Sequence, residues 1–346
     1  RRSEPKNRGE EKKPAEIHAS NDVSTSNAPT IDVRARREQD CLPGRGRARY
    51  DRRMTDAIRL EAGPSDAAEI SLLGAELAAW RCDGVELVWK PQREVWPQTA
   101  PLLFPVVGWT RDGIRVDGAR YPLGLHGFAR RKRFFAVERS QDRLVLALEE
   151  DEESRALYPF AFRLEAHFCL RPGELRVCLT AVNRDRRPLP YAVGLHPGFR
   201  WPLGGSASPH AIDFEAAESG EVPVIAPGGL FSSQRRAIPM EGRRLPLSAA
   251  LLEKEALCFL DAASRRLLYD NGDGLALSVE LEDFPHIALW SRPPAPFLCI
   301  EAWTGHGDPE DFFGDLYEKP SMRILAPGET AAHAATFRLE RRRAGE

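Results

Sequence analysis

No uninterrupted apolar run reaches the roughly 18 residues that a membrane-crossing helix needs, so no membrane span is expected. The opening Arg1-Arg2-Ser3-Glu4-Pro5-Lys6 lacks the apolar centre of a secretory signal. No C-x-x-C pair occurs among Cys41, Cys82, Cys169, Cys178, Cys258 and Cys299, and most have apolar neighbours. Buried reduced thiols in a cytoplasmic protein are therefore expected, not a disulfide framework. Also missing are a glycine-rich nucleotide turn between strand and helix, a phosphate loop and a zinc-hydrolase spacing, which argues against a dinucleotide or ATP enzyme.

A dominant sign of charge is missing as well, since the formal net charge is only -2. The distribution is uneven. Residues 1–53 hold 14 Lys and Arg against 9 Asp and Glu, which leaves 35 against 42 for the remainder. Any nucleic-acid footprint would have to lie in that basic stretch, and none is expected on the folded body. Rich in charge, Pro, Ser and Asn, residues 1–53 read as a disordered tail, and the change of composition at Met54 marks a candidate native start.

Beyond Met54 the chain offers short apolar or alternating segments, each ended by Gly, Pro, Asp or Asn. Strands are expected over 72–80, 85–89, 134–139, 143–148, 160–170, 174–184 and 189–193. Further strands are expected over 256–260, 267–269, 276–281, 286–290 and 297–300. Helix signals are scarce: 248–255, where Ser248 can cap the first turn, and a short turn over 311–316. This pattern predicts an all-β sandwich of large size with few short helices.

Three polar residues stand out. Glu301 directly follows the apolar run 295–300, where desolvation raises a carboxyl pKa and makes it a proton acceptor near neutrality. Its neighbours are Trp303, an aromatic platform of the kind sugar faces pack against, and then His306 and Asp308. His126 lies in the glycine-rich Gly124-Leu125-His126-Gly127-Phe128-Ala129-Arg130, with Arg130 as a fork of donors for hydroxyls or an anion. His196 precedes Pro197, which biases it towards extended backbone. A histidine titrating near neutrality can protonate an oxygen and take the proton back. The three are far apart in sequence and carry no metal-ligand spacing, although a His-His-Glu set could in principle hold zinc with one site open. Acid–base chemistry without metal or organic cofactor is expected.

At these residues the chain resembles the aldose 1-epimerase, or galactose mutarotase-like, superfamily, in particular its bacterial branch of short single-domain proteins. The likeness runs in consistent order over roughly 57–342. Its pieces are Gly74-Ala75-Glu76-Leu77, Trp89, Trp96, the segment 100–108, His126-Gly127-Phe128-Ala129-Arg130 and Gly194-Leu195-His196-Pro197-Gly198-Phe199. It continues with Asp283-Phe284-Pro285, Trp290, Ile300-Glu301-Ala302-Trp303-Thr304-Gly305 and Pro327-Gly328-Glu329. The resemblance implies a β-supersandwich of galactose mutarotase-like type with a monosaccharide lying across one concave sheet. It implies Glu301 as general base on the anomeric hydroxyl, His196 as general acid on the ring oxygen, and His126 holding the sugar. Arg130, Arg111, Trp303 and Phe199 are expected as further substrate contacts.

Two positions depart from that pattern: Trp109 stands where relatives often carry a substrate-binding arginine, with Arg111 the nearest replacement, and Ala302 stands where proline is usual. The expected function is an aldose 1-epimerase acting on free hexoses. The alternatives are a hexose-6-phosphate 1-epimerase, which requires Arg130, Arg111 and Arg200 to converge, and a noncatalytic carbohydrate-binding protein. A monomer or weak homodimer is expected.

Overall fold

The computed structural model describes residues 57–342. The expected tail over 1–53, the candidate start at Met54 and Cys41 lie outside the described residues. Within them the fold is all-β, with only two short α-helices, Glu152–Leu157 and Ala249–Leu252. Among the described residues no helix is long and apolar enough to cross a membrane.

The largest sheet has nine strands. Its order is Arg244–Pro246, Ala211–Phe214, Arg266–Asp270, Leu275–Glu282, Thr330–Arg341, Glu174–Asn183, Phe162–Arg171, Arg143–Glu149 and Phe135–Arg139. Alternation sets which face of this sheet packs on the core. Leu164, Phe168 and Leu170 are buried, and they pair with Ala181, Val177 and Leu175. The other face carries ladders of opposite charge: Arg163 bonds Glu149 at 2.6 Å and Glu165 at 2.7 Å, and Arg338 bonds Glu174 at 2.6 Å and Glu280 at 2.8 Å.

The buried face packs on two other sheets. One is four-stranded, Ala57–Glu61, Ala67–Ser71, Leu77–Cys82 and Val85–Glu86. The other runs Leu257–Phe259, His286–Trp290, Phe297–Trp303, Gly194–Leu195 and Leu102–Leu103, with Gly198–Arg200 also paired to Phe297–Trp303. Phe337 of the nine-stranded sheet meets both, with ring centroids 6.2 Å from Trp80 and 5.5 Å from Phe199. Burying a phenylalanine this completely stabilises the fold by on the order of 2–3 kcal/mol.

Several elements differ from the expectation drawn from sequence. Thr330–Arg341 was not expected as a strand, because its alanines lack β-branched or aromatic signal. It becomes one through pairing on both sides, with Glu174–Asn183 and Leu275–Glu282. The hairpin Glu221–Ala226 with Leu230–Ala237 was hidden by Pro223 and by Pro227-Gly228-Gly229, and its register shifts between Pro223 and Ile225. Helix Glu152–Leu157 had a readable signal: Asp151 accepts the Ser154 N–H while the Ser154 hydroxyl accepts the Asp151 N–H, a reciprocal cap, with two glutamates in the first turn. The second helix is shorter than 248–255, but Ser248 does cap it, accepting the Leu251 N–H at 3.2 Å. At the expected 311–316 turn the chain instead forms a 3-10 turn at Leu316–Glu318, capped by Asp315.

Candidate active site

Strand register brings His196 to Glu301. Gly194–Leu195 and Gly198–Arg200 both pair antiparallel with Phe297–Trp303, Gly194 opposite Trp303 and Gly198 opposite Cys299. Counting two residues inward from either pair sets position 196 opposite position 301. The ladder is interrupted there by Pro197, which has no N–H to give, and its carbonyl accepts the Ile300 N–H at 3.2 Å. His196 Nε2 lies 3.3 Å from Glu301 Oε2, which also accepts the Trp303 indole N–H at 3.0 Å. Trp303 thus aims the carboxylate as well as lining the cleft.

Two more tryptophans clamp the His196 imidazole. Trp96 lies at 30° to it with centroids 5.2 Å apart, and Trp290 stands edge-on at 5.7 Å. Room for Trp96 depends on Gly198, where an added Cβ would come within 2.6 Å of the indole. Ala302, in place of the usual proline, sits in a doubly paired strand between Ile287 and Leu195, so the ladder itself restrains the backbone beside Glu301.

His126 arrives from a different segment. Its φ is +60°, and Gly127 follows at +68° with its Cα so close to the 104–105 backbone that a Cβ would fall 2.1 Å from the Phe104 carbonyl oxygen. This turn sets the His126 ring edge-on to His196, centroids 5.7 Å apart. The Gly108 N–H donates to His126 Nδ1 at 3.1 Å, which fixes the neutral ring's proton on Nε2 and makes that nitrogen a donor. Arg130 is held by Gln98 Oε1 at 3.1 Å and the Leu125 carbonyl at 3.0 Å, and Glu76 below it accepts the Thr99 and Ala100 N–H groups.

These groups share a cleft of about 440 Å³, a size suited to one small ligand. Trp96, Gln98, Trp109, His126, Arg130, His196, Trp290, Glu301 and Trp303 line it. The hairpin contributes Ile225, Gly229 and Phe231. A larger groove of about 760 Å³ lies elsewhere, between Asp213, Arg244, Arg266 and Glu340, and it contains none of the three acid–base candidates.

Burial controls the electrostatics. It pushes the Glu301 carboxyl well above its ordinary range, partly opposed by the Trp303 N–H. It pulls His196 down to about 3 and His126 well below the usual imidazole value. For the His196–Glu301 pair both directions follow from desolvation, which favours a pair carrying no net charge. His196 Nδ1 is buried without a protein partner.

The structure puts other expected residues elsewhere. Phe199 is wholly buried against Phe337 and lies outside the cleft, because the strand that presents His196 turns position 199 into the core. Arg111 also lies outside it: its guanidinium bonds the Glu310 carbonyl and covers the Phe313 ring at 4.7 Å. Arg200 borders a separate groove with Trp89 and Trp201, so Arg130, Arg111 and Arg200 do not converge. His306 packs on Phe231 and His286, and Asp308 forms a buried ion pair with Lys319. Replacing Lys319 by Met leaves that carboxylate buried without its cation and is expected to cost about 3–5 kcal/mol in urea unfolding. A loss under about 1 kcal/mol would contradict this account.

Trp96, Gln98, Trp290, Ile225 and Phe231 line the cleft without having been expected there from the sequence. Trp96 and Trp290 were visible as matching tryptophans, whereas nothing local marked the hairpin residues.

Comparison with known proteins agrees with the architecture. The profile of the family described as aldose 1-epimerase matches residues 56–338. Protein LacX, chromosomal, of Lactococcus lactis is 28% identical over 277 residues, covering 76% of this chain and 93% of that one. Among solved structures, a galactose mutarotase-like protein from Lactobacillus casei superposes with a TM-score of 0.76 at 28% identity, over 82% of this chain and 100% of that one. A galactose mutarotase related enzyme from Lactobacillus acidophilus gives 0.75 at 25% identity, over 83% and 98%.

Proposed function

The chain belongs to the aldose 1-epimerase family, and from that premise we propose that it interconverts the α and β anomers of a free aldose by acid–base ring opening and reclosure. The observation that carries this reading is the 3.3 Å contact of His196 Nε2 with Glu301 Oε2 inside the cleft. One carbon of an aldose, the anomeric carbon, bears both oxygens that must exchange protons, so the acid and the base have to stand side by side.

At rest burial favours the pair's one proton on Glu301, and the reaction begins from the tautomer in which that proton has passed to His196 across the 3.3 Å contact, leaving Glu301 ionised. Glu301 takes the proton of the anomeric hydroxyl, the C1–O1 bond becomes a carbonyl, the C1–O5 bond breaks, and O5 takes the proton from His196. Rotation about C1–C2 presents the other carbonyl face. O5 then attacks that face, returns its proton to His196, and O1 recovers the proton from Glu301. The pair holds one proton and zero net charge before and after ring opening, so no net charge is created in a buried site. His126, with its proton on Nε2, is suited to donate to a sugar oxygen throughout.

The shared proton fixes a pH dependence. A second proton on the pair makes a buried cation and is disfavoured, so the acid limb lies below the ordinary imidazole value of about 6.5. Loss of the last proton leaves a buried anion, so the alkaline limb lies above the ordinary carboxylate range. The expected kcat/KM profile is therefore flat through neutrality and falls on both sides. A single rise centred near 6.5 would contradict it. The activity itself is tested by NMR of fresh α-glucose and α-galactose approaching anomeric equilibrium with and without the protein; failure to accelerate any aldose of a broad panel would sink the reading.

Free aldoses are favoured over hexose 6-phosphates because Arg130 is the one cation among the lining residues and is already engaged by Gln98 and Leu125.

A further inference from the structure

We propose that Trp109, Ile225 and Phe231 form an apolar selectivity wall, and that the preferred substrate is an uncharged aldose with an apolar edge, a 6-deoxyhexose before the corresponding hexose or its 6-phosphate. This deepens the anomer-exchange reading and rests on it for the orientation of the sugar.

Trp109 is 44% exposed, and it is the one strongly exposed large apolar side chain, among the described residues, that lines the cleft. An indole left half open to solvent loses the benefit of burial unless a ligand covers it. It is also held still. Gly229, at φ +77°, lies so close that an added Cβ would fall 1.8 Å from Trp109 Cδ1, so the indole rests on the bare main chain of the hairpin turn. The Asp308 N–H donates to the Trp109 carbonyl and the Phe231 N–H to the Asp308 carbonyl, both at 2.9 Å, which locks Trp109 and Phe231 into one unit. Asp308 is itself fixed by Lys319. Glu255 holds the third member: it accepts the Ile225 N–H at 3.0 Å and the Arg236 Nε–H at 3.0 Å, so its oxygens already have partners.

Apart from the Trp109 indole N–H, no side chain of this wall carries a polar atom. Hydrogen-bonding side chains of the cleft lie off this wall, at Gln98, Arg130, His126, His196 and Glu301, and the last two mark where the anomeric centre belongs. A hydroxymethyl group turned to the wall would lose water without gaining a full set of partners, and a phosphate would lose more, with no cation on the wall to meet it. A methyl group there buries cleanly against the indole.

The test measures anomer exchange by NMR for galactose, 6-deoxygalactose, galactose 6-phosphate, glucose and 6-deoxyglucose, and binding of the same sugars to Glu301→Gln by ligand-observed NMR. Each 6-deoxy sugar is expected to show KM and Kd about tenfold below its 6-hydroxy counterpart, with the phosphate weakest. Trp109→Ala should bring the 6-deoxy sugars close to their hydroxylated counterparts. Equal affinities within each wild-type pair, or preference for the phosphate, would overturn the proposal whether or not Trp109→Ala folds. Exchange of all sugars without a 6-deoxy preference defeats the wall alone. A retained 6-deoxy binding preference in a protein that exchanges no sugar defeats the exchange reading alone and supports the wall.

Discussion

Glu301→Gln is expected to lower anomer exchange by about 10³-fold or more while sugar binding persists, in line with the contribution of a positioned general base. The substitution keeps the side chain's shape, and the amide oxygen can still accept the Trp303 N–H that now bonds Oε2 at 3.0 Å. What disappears is the ability to take a proton, together with the negative charge that faces protonated His196 in the reactive form. Burial is what makes the loss severe: Glu301 is 3% exposed, and water cannot easily take its place as base. The measurement is exchange of α-galactose by NMR, paired with ligand-observed binding and a urea midpoint to show that the fold is intact. A near-normal rate in a folded variant would remove Glu301 from the proposed chemistry.

His196→Asn is expected to cost about 10²–10³-fold. Trp96 and Trp290 keep the neighbouring pocket in place, so the Asn amide occupies only part of the volume of the clamped ring. The amide cannot carry a transferable proton. Combining the two substitutions distinguishes a pair from two independent contributors. Because one proton passes between the partners, the double variant should be little slower than the more damaged single one. Multiplicative losses would mean that His196 and Glu301 act separately.

Much of the architecture was legible locally. The alternation in Glu174–Asn183 follows from one buried and one wetted face, and it survives in the structure as inward Leu175, Val177 and Leu179. Thr330–Arg341 was not legible, because alanine gives no strand preference and its state is decided by two neighbouring strands. The hairpin over the cleft was concealed by prolines and glycines that ordinarily mark loops. Among the candidate site residues, His126, His196, Glu301, Arg130 and Trp303 line one cleft, while Phe199 and Arg111 lie outside it. For Phe199 the reason is parity: three residues beyond His196, its side chain turns into the core rather than the cleft.

The sequence by itself determined that this chain is built of short strands, that its carboxylate at 301 sits behind an apolar run, and that two histidines lie beside glycine or proline breaks. Those are local consequences of periodicity, turn chemistry and desolvation. Tertiary structure alone decided that positions 196 and 301 face each other, since that follows from the register of two interrupted strands on a third. It alone decided that the hairpin brings Ile225 and Phe231 beside Trp109. Contacts between residues about a hundred positions apart depend on which strands pair and in what register, and no local pattern carries that information.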